Sequence, residues 1–417
     1  MRWRSFVVID EKITIVGWWN EAQFAVESQD ASFSLRGWPN AFESILIRRM
    51  KLFFTFALAT SVFISADAAK ENLPDKSNVA ATEVKWISFP DQRLEVRGLP
   101  WLKENAPDLW RLPKSAKDKV PKGVWNRAVA PDGGRICFSS ESTRLAIKIQ
   151  AAQGHGKPCF FDAYVNGQYA GSANAKGTNE TAAVLFEKKE RAPKEITVYF
   201  PNNGEARLLA VGLDADAEIK TAPAFALKKP MVCYGSSVMQ GSGATHPAKT
   251  YPAALARRLN LDFVNLGFGG AGKAEAEVVE LVNQLDGCCY IFDLGKSYGT
   301  QPMEPYAKML DAIRAAHPTA PIICVTPIYS TKEVNEPSYR ERSENLRVMM
   351  RQAATERRKA GDKFMFVVEG LELFGAADKE LLHDPAHPND EGNELIAQRL
   401  APIIEKILFG KGAAIKN

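Results

Sequence analysis

The chain has 417 residues, with 53 lysines and arginines against 49 acidic residues and a formal charge of +4. That length exceeds one ordinary hydrophobic core and leaves room for two folded domains. So small and dispersed a charge excludes a basic groove for nucleic acid as the working surface.

In chain order, Arg48, Arg49 and Lys51 surround Met50, and an apolar run over residues 52–64 ends in small residues that include Ala66, Asp67 and Ala68. A basic start, a short apolar stretch and an A-x-A-like end are the marks of a cleaved export signal over residues 50–68, and the run is short for a membrane span. The mature protein is expected from about Ala69, periplasmic or extracellular, with no stable membrane span; the competing reading is an uncleaved anchor. Because an export signal must emerge first from the ribosome, the natural start is expected at Met50, and residues 1–49 read as a mis-assigned upstream extension. Four of the eight tryptophans fall there (Trp3, Trp18, Trp19, Trp38), without a period to match.

The six cysteines do not read as a disulfide framework, since Cys233, Cys288, Cys289 and Cys324 lie inside apolar, strand-like runs where buried free thiols are expected. Cys137 and Cys159 can pair only if the fold brings them together, which spacing does not tell. No CxxC or His/Cys cluster has zinc spacing, so no metal is assigned, and no cofactor is required.

Residues 84–212 are β-rich and punctuated by turns, with Asn166-Gly167 and Asn203-Gly204 as strong turn signals between alternating segments. This pattern predicts an antiparallel β-sandwich within an N-terminal domain of residues 69–225, its early part wrapping an edge. After the TAPAFALKKP stretch the rhythm changes. Buried strands are predicted at 231–234, 263–266, 289–294, 322–326 and 364–368, with helices at about 251–259, 274–284, 305–316, 340–359 and 389–408 between and after them. Short apolar strands alternating with helices predict an α/β domain over 226–417, a doubly wound parallel sheet covered on both faces. Ligands bind such sheets beyond the carboxyl ends of the strands.

Four segments fall at those ends: YGSSVMQG, NLGFGGAG, DLGKSYG and HDPAHPNDEG. A serine in a Gly-flanked strand-to-helix turn exposes its hydroxyl beside its own N–H, where negative charge is stabilised. Taken alone, GSS is a common turn. The Asp384-x-x-His387 pair changes its weight, because three residues on a proline-bounded turn let the carboxylate orient the imidazole while the other ring nitrogen faces Ser237. Asn389 or Asp390 can cap the helix that follows. No GxSxG elbow is present, and α/β-hydrolases of that type separate Asp from His widely.

Together the four segments resemble the SGNH or GDSL hydrolase superfamily, in particular its large subgroup with an N-terminal β-sandwich, and the resemblance runs from about residue 86 to the last helix. In the sandwich half it rests on VRGLPW, WRLP, VWNRA and FFDAYVNG, the last similar to a GxxDLY signature with Ala163 in place of Leu. The resemblance implies a flavodoxin-like sheet and a serine esterase with Ser237 as nucleophile, His387 as base and Asp384 as its orienting acid. It also implies an oxyanion hole from the N–H groups of Ser237 and Gly270 and from the third segment's asparagine. Here that asparagine position is Ser297, a departure that leaves a shorter hydroxyl as donor.

Lys296 beside it can supply charge if it points inward, or is a solvated loop lysine. His246 can line the substrate pocket, or is a polar loop residue. His383 adjoins Asp384 and faces away from a working position, and His155 has no chemical partner in view. The expected reaction is hydrolysis of short-chain acyl esters, acetyl above all, on a small-molecule or polysaccharide substrate. The alternatives are an acyltransferase with the same triad and a glycan-binding protein with impaired catalysis.

Overall fold

The computed structural model describes residues 4–10, 13–20, 23–28, 84–152 and 158–410. The leader-like stretch 50–68 and His155 lie outside them. Arg4–Asp10 (β1), Ile13–Asn20 (β2) and Gln23–Ser28 (β3) form an antiparallel meander of their own.

Two antiparallel sheets follow. Lys85–Ser88 (β4), Glu95–Arg97 (β5), Arg135–Ser140 (β6), Leu145–Ala151 (β7), Cys159–Val165 (β8), Gln168–Ala175 (β9), Thr181–Phe186 (β10), Lys194–Tyr199 (β11) and Ala206–Leu213 (β12) divide into the orders β10-β7-β12-β4 and β5-β6-β11-β8-β9. Alternating inward residues, among them Ile136, Phe138, Ile147, Ile149, Phe161, Val198 and Leu208, fill the space between the sheets. The hairpin β8–β9 turns on Asn166 (φ 50°) and Gly167 (φ 75°), two consecutive left-handed residues, as the Asn-Gly pair predicts. Cys137 on β6 and Cys159 on β8 are separated by β11 in the sheet.

Met231–Gly235 (β13), Phe263–Gly267 (β14), Cys289–Asp293 (β15), Ile322–Val325 (β16) and Met365–Val368 (β17) form a parallel sheet in the order β14-β13-β15-β16-β17. Both faces are apolar because both are covered. Met231, Cys233 and Ile291 pack toward helices Tyr251–Leu259 and Asp390–Phe409, while Val232, Tyr234 and Phe292 pack toward Ala276–Asn283, Glu304–Ala316 and Pro337–Lys359. This is the doubly wound fold of the sequence pattern, with element ends displaced by at most three residues. The second face also receives Leu112, Val120, Val124, Trp125 and Ala128, so the segment before β6, with its helix Lys122–Ala128, packs into the α/β core. Among the described residues, no helix is long and apolar enough to cross a membrane, and no group of His, Cys, Asp and Glu could hold a metal ion.

Candidate active site

The order β14-β13-β15 reverses direction at β13, opening a crevice beyond its carboxyl end. The chain leaves β13 at Gly235, where a side chain would collide with the Asp293 carbonyl at 2.5 Å. Ser236 is the N-cap of the short helix Ser237–Gln240, its hydroxyl accepting from the Val238 N–H at 3.3 Å. Ser237 is therefore the first helical residue, half-buried, and Gly241 ends the turn in the left-handed conformation (φ 85°).

His387 arrives from the opposite side. Its Nε2 lies 2.8 Å from Ser237 Oγ and its Nδ1 2.7 Å from Asp384 Oδ2. The other carboxylate oxygen of Asp384 accepts the main-chain N–H groups of Ala386 (2.8 Å) and His387 (3.0 Å), so one side chain shapes the turn and orients the ring. Burial alone would raise the Asp384 pKa; the His387 bond and these N–H groups outweigh it, leaving the carboxyl below its ordinary range. The turn is closed by the His383 N–H donating to the His387 carbonyl at 2.8 Å, and Asn389 caps the following helix by accepting from the Gly392 N–H.

The glycine loop after β14 forms the third side. The Gly269 N–H donates to Gln240 Oε1 at 2.8 Å, and the Gly270 N–H donates to Ser297 Oγ at 3.1 Å. Gly270 has φ 74°, is exposed, and has no atom within 4 Å of the position a Cβ would take. Ser297 is buried in the single turn Gly295–Tyr298. Its oxygen accepts from Gly270, which leaves its proton available to a third partner.

Lys296 does not stand as a free charge. Its ammonium donates to the carbonyls of Ala386 (2.7 Å) and Tyr329 (3.0 Å), bridging the His387 turn to the loop after β16. Burial pulls its pKa down to about 8, against the opposing pull of Asp293 and Glu333. His246 is held by the sandwich: Nδ1 lies 2.8 Å from the buried Asp162 carboxylate, and the ring stacks on Phe160 at 4.4 Å. Asp162 is the aspartate of FFDAYVNG, and its second oxygen accepts the Ala248 N–H at 3.2 Å.

Sequence reasoning passed over two arginines. Arg111 of WRLP is fully buried and donates to the carbonyls of Asn265 (3.0 Å) and Gly267 (2.7 Å), while Arg127 of VWNRA donates from Nε to the Gly269 carbonyl at 3.2 Å. The available signal was an arginine set between Trp110 and Leu112, where a solvated charge has no place.

A Gly-flanked serine at a helix start, a histidine bonded to it and a carboxylate behind the histidine thus lie in one hydrogen-bonded row at the carboxyl edge of a flavodoxin-like sheet. Residues 228–405 match the GDSL-like lipase/acylhydrolase family, and residues 84–219 match the N-terminus of SGNH-hydrolase-type esterases. The chain belongs to the SGNH/GDSL hydrolases, in the subgroup with that N-terminal domain, and is an ester hydrolase by family.

No curated protein matches the sequence. Among solved structures, a protein from Bacteroides ovatus described as a GDSL-like lipase is similar at 25% identity and TM-score 0.69, covering 78% of this chain and 98% of that one. The salicylyl-acyltransferase SsfX3 of a tetracycline biosynthetic pathway has the same TM-score and coverage at 23% identity. The acetyl xylan esterase Est2A from Butyrivibrio proteoclasticus shares the fold at TM-score 0.56 and 13% identity, covering 79% of this chain and all of that one.

Proposed function

We propose that the protein is an exported serine esterase that removes short acyl groups, acetyl foremost, from carbohydrate. The observation that carries the reading is the hydrogen-bonded chain Ser237–His387–Asp384. With Asp384 ionised and accepting from Nδ1–H, the Nε2 lone pair faces the Ser237 hydroxyl. Ser237 Oγ attacks the ester carbonyl as its proton passes to Nε2. The oxyanion forms against the N–H groups of Ser237 and Gly270 and the Ser297 hydroxyl. Collapse expels the alcohol, protonated by His387, and water then attacks the acyl-serine through the same base.

Export rests on the leader-like stretch at residues 50–68. The carbohydrate substrate is supported by the acetyl xylan esterase and by a similar family-two carbohydrate esterase from Clostridium thermocellum, solved with cellohexaose. An exposed Gly270 suits a substrate too large to be engulfed. A second reading, acyl transfer to an alcohol in place of water, is favoured by the similarity to the salicylyl-acyltransferase, and the same open site admits such an acceptor.

The test compares turnover of p-nitrophenyl acetate and acetylated oligosaccharides by the protein and by Ser237→Ala, with and without added alcohol acceptors. The esterase reading expects Ser237-dependent acetate release. Equal background rates in both proteins would overturn it in favour of a binding protein, and transfer exceeding hydrolysis would move it to the acyltransferase.

A further inference from the structure

The glycine loop is held from behind by the N-terminal domain. Arg111, fully buried, gives Nη1 to the Asn265 and Gly267 carbonyls, Nε to Ala130 O at 2.8 Å and Nη2 to Arg127 O at 2.6 Å, with its guanidinium 4.8 Å from the centre of the Phe268 ring. It thereby ties the end of β14 to the last turn of helix Lys122–Ala128, and Arg127 on that turn takes the next carbonyl of the loop, that of Gly269.

The Gly269 carbonyl and the Gly270 N–H belong to one planar peptide and point in opposite directions. With the oxygen on Arg127, the N–H faces Ser297 Oγ and the site. Neighbouring peptides are fixed independently, since the Gly267 carbonyl lies on Arg111 and the Gly269 N–H on Gln240. The 269–270 peptide is different. It lies between two glycines, so no Cβ resists its rotation, and φ 74° at Gly270 is one of two signs that glycine adopts with equal ease. A flipped peptide would withdraw an oxyanion donor and present a carbonyl oxygen where negative charge must develop.

We propose that Arg127 is a positioning residue that holds the 269–270 peptide in its oxyanion-binding orientation, so that the N-terminal domain sets the chemistry of the hydrolase domain. This rests on the reading of Gly270 N–H as an oxyanion donor.

The test uses the full chain with Arg127→Ala and Arg127→Lys, a neutral ester (p-nitrophenyl acetate) and phenylboronic acid, whose serine adduct resembles the tetrahedral intermediate. Arg127→Ala is expected to lower kcat by between about tenfold and the roughly hundredfold of a lost donor. KM should stay within about twofold and boronate affinity should fall by the same factor as kcat. The exposed position of Arg127 predicts an unchanged thermal midpoint, and Arg127→Lys should fall between. Unchanged kcat and boronate affinity would overturn the proposal while leaving Ser237-dependent esterase activity intact. So would a defect confined to KM for anionic esters, which would make Arg127 a substrate contact. Absence of Ser237-dependent turnover in the unmodified protein would instead overturn the functional reading beneath it, and this role with it.

Discussion

Replacing Lys296 by Met separates the stability of the site from its activity. Holding this ammonium in its enclosed position lowers its pKa from 10.5 to about 8, equivalent to about 3 kcal/mol of folding free energy lost at neutral pH. Methionine removes that cost but leaves the carbonyls of Ala386 and Tyr329 without their donor, at roughly 1–3 kcal/mol each where water cannot replace it. The two effects largely offset each other, so the net stability change is expected within about 3 kcal/mol. Activity does not share the offset. The strut onto Ala386 adjoins His387, and a displacement of the base by about an ångström costs on the order of a hundredfold in rate. The variant should lose at least about tenfold in kcat.

The sign of the pH dependence follows from the depressed pKa. The Lys296 charge penalty is fully present below pH 8, and stability rises as the native lysine deprotonates between pH 8 and 10.5. Thermal unfolding across pH 7–11 should therefore show the unmodified protein gaining on Lys296→Met as pH rises through that window. A pH-independent difference, or a variant with unmodified kcat, would refute the reasoning.

Three further outcomes follow from the same contacts. Ser297→Asn restores an amide donor opposite Gly270 and should raise kcat on acetate esters; no change in steady-state kinetics would count against Ser297 as a donor. Asp384→Asn should lower kcat by roughly 10²- to 10⁴-fold with little change in KM, since an amide that donates to Nδ1 leaves the proton on Nε2. Arg111→Met should destabilise the fold by about 3–5 kcal/mol in urea denaturation, because four carbonyls lose their buried donor at roughly 1–3 kcal/mol each, offset in part by removal of the buried charge.

The α/β half was legible because a strand buried on both faces has little choice but to be apolar throughout. MVCYG and CYIFD announce themselves, and the helices between them carry their stripes. The segment before β6 was less legible, since Leu112, Val124 and Trp125 are spaced irregularly and reveal their face only once the sheet they cover is in place.

At the site, the spacing of Asp384 and His387 carries its own geometry, because three residues on a turn bring the two side chains together. The contacts of Lys296 and His246 could not be read that way. Each depends on a carbonyl or carboxylate far away in the chain, Ala386 for one and Asp162 for the other. The same holds for Arg127, whose partner is a backbone oxygen 142 residues distant. Long-range bonds to main-chain atoms leave no pattern in a sequence.

The most direct test of the account is covalent. Incubation with a fluorophosphonate ester, followed by peptide mass mapping, should place one adduct on Ser237, with labelling suppressed in His387→Ala and blocked by prior incubation with a boronic acid. An adduct on another residue, or labelling at the same rate in Ser237→Ala, would contradict the assignment of Ser237 as the nucleophile.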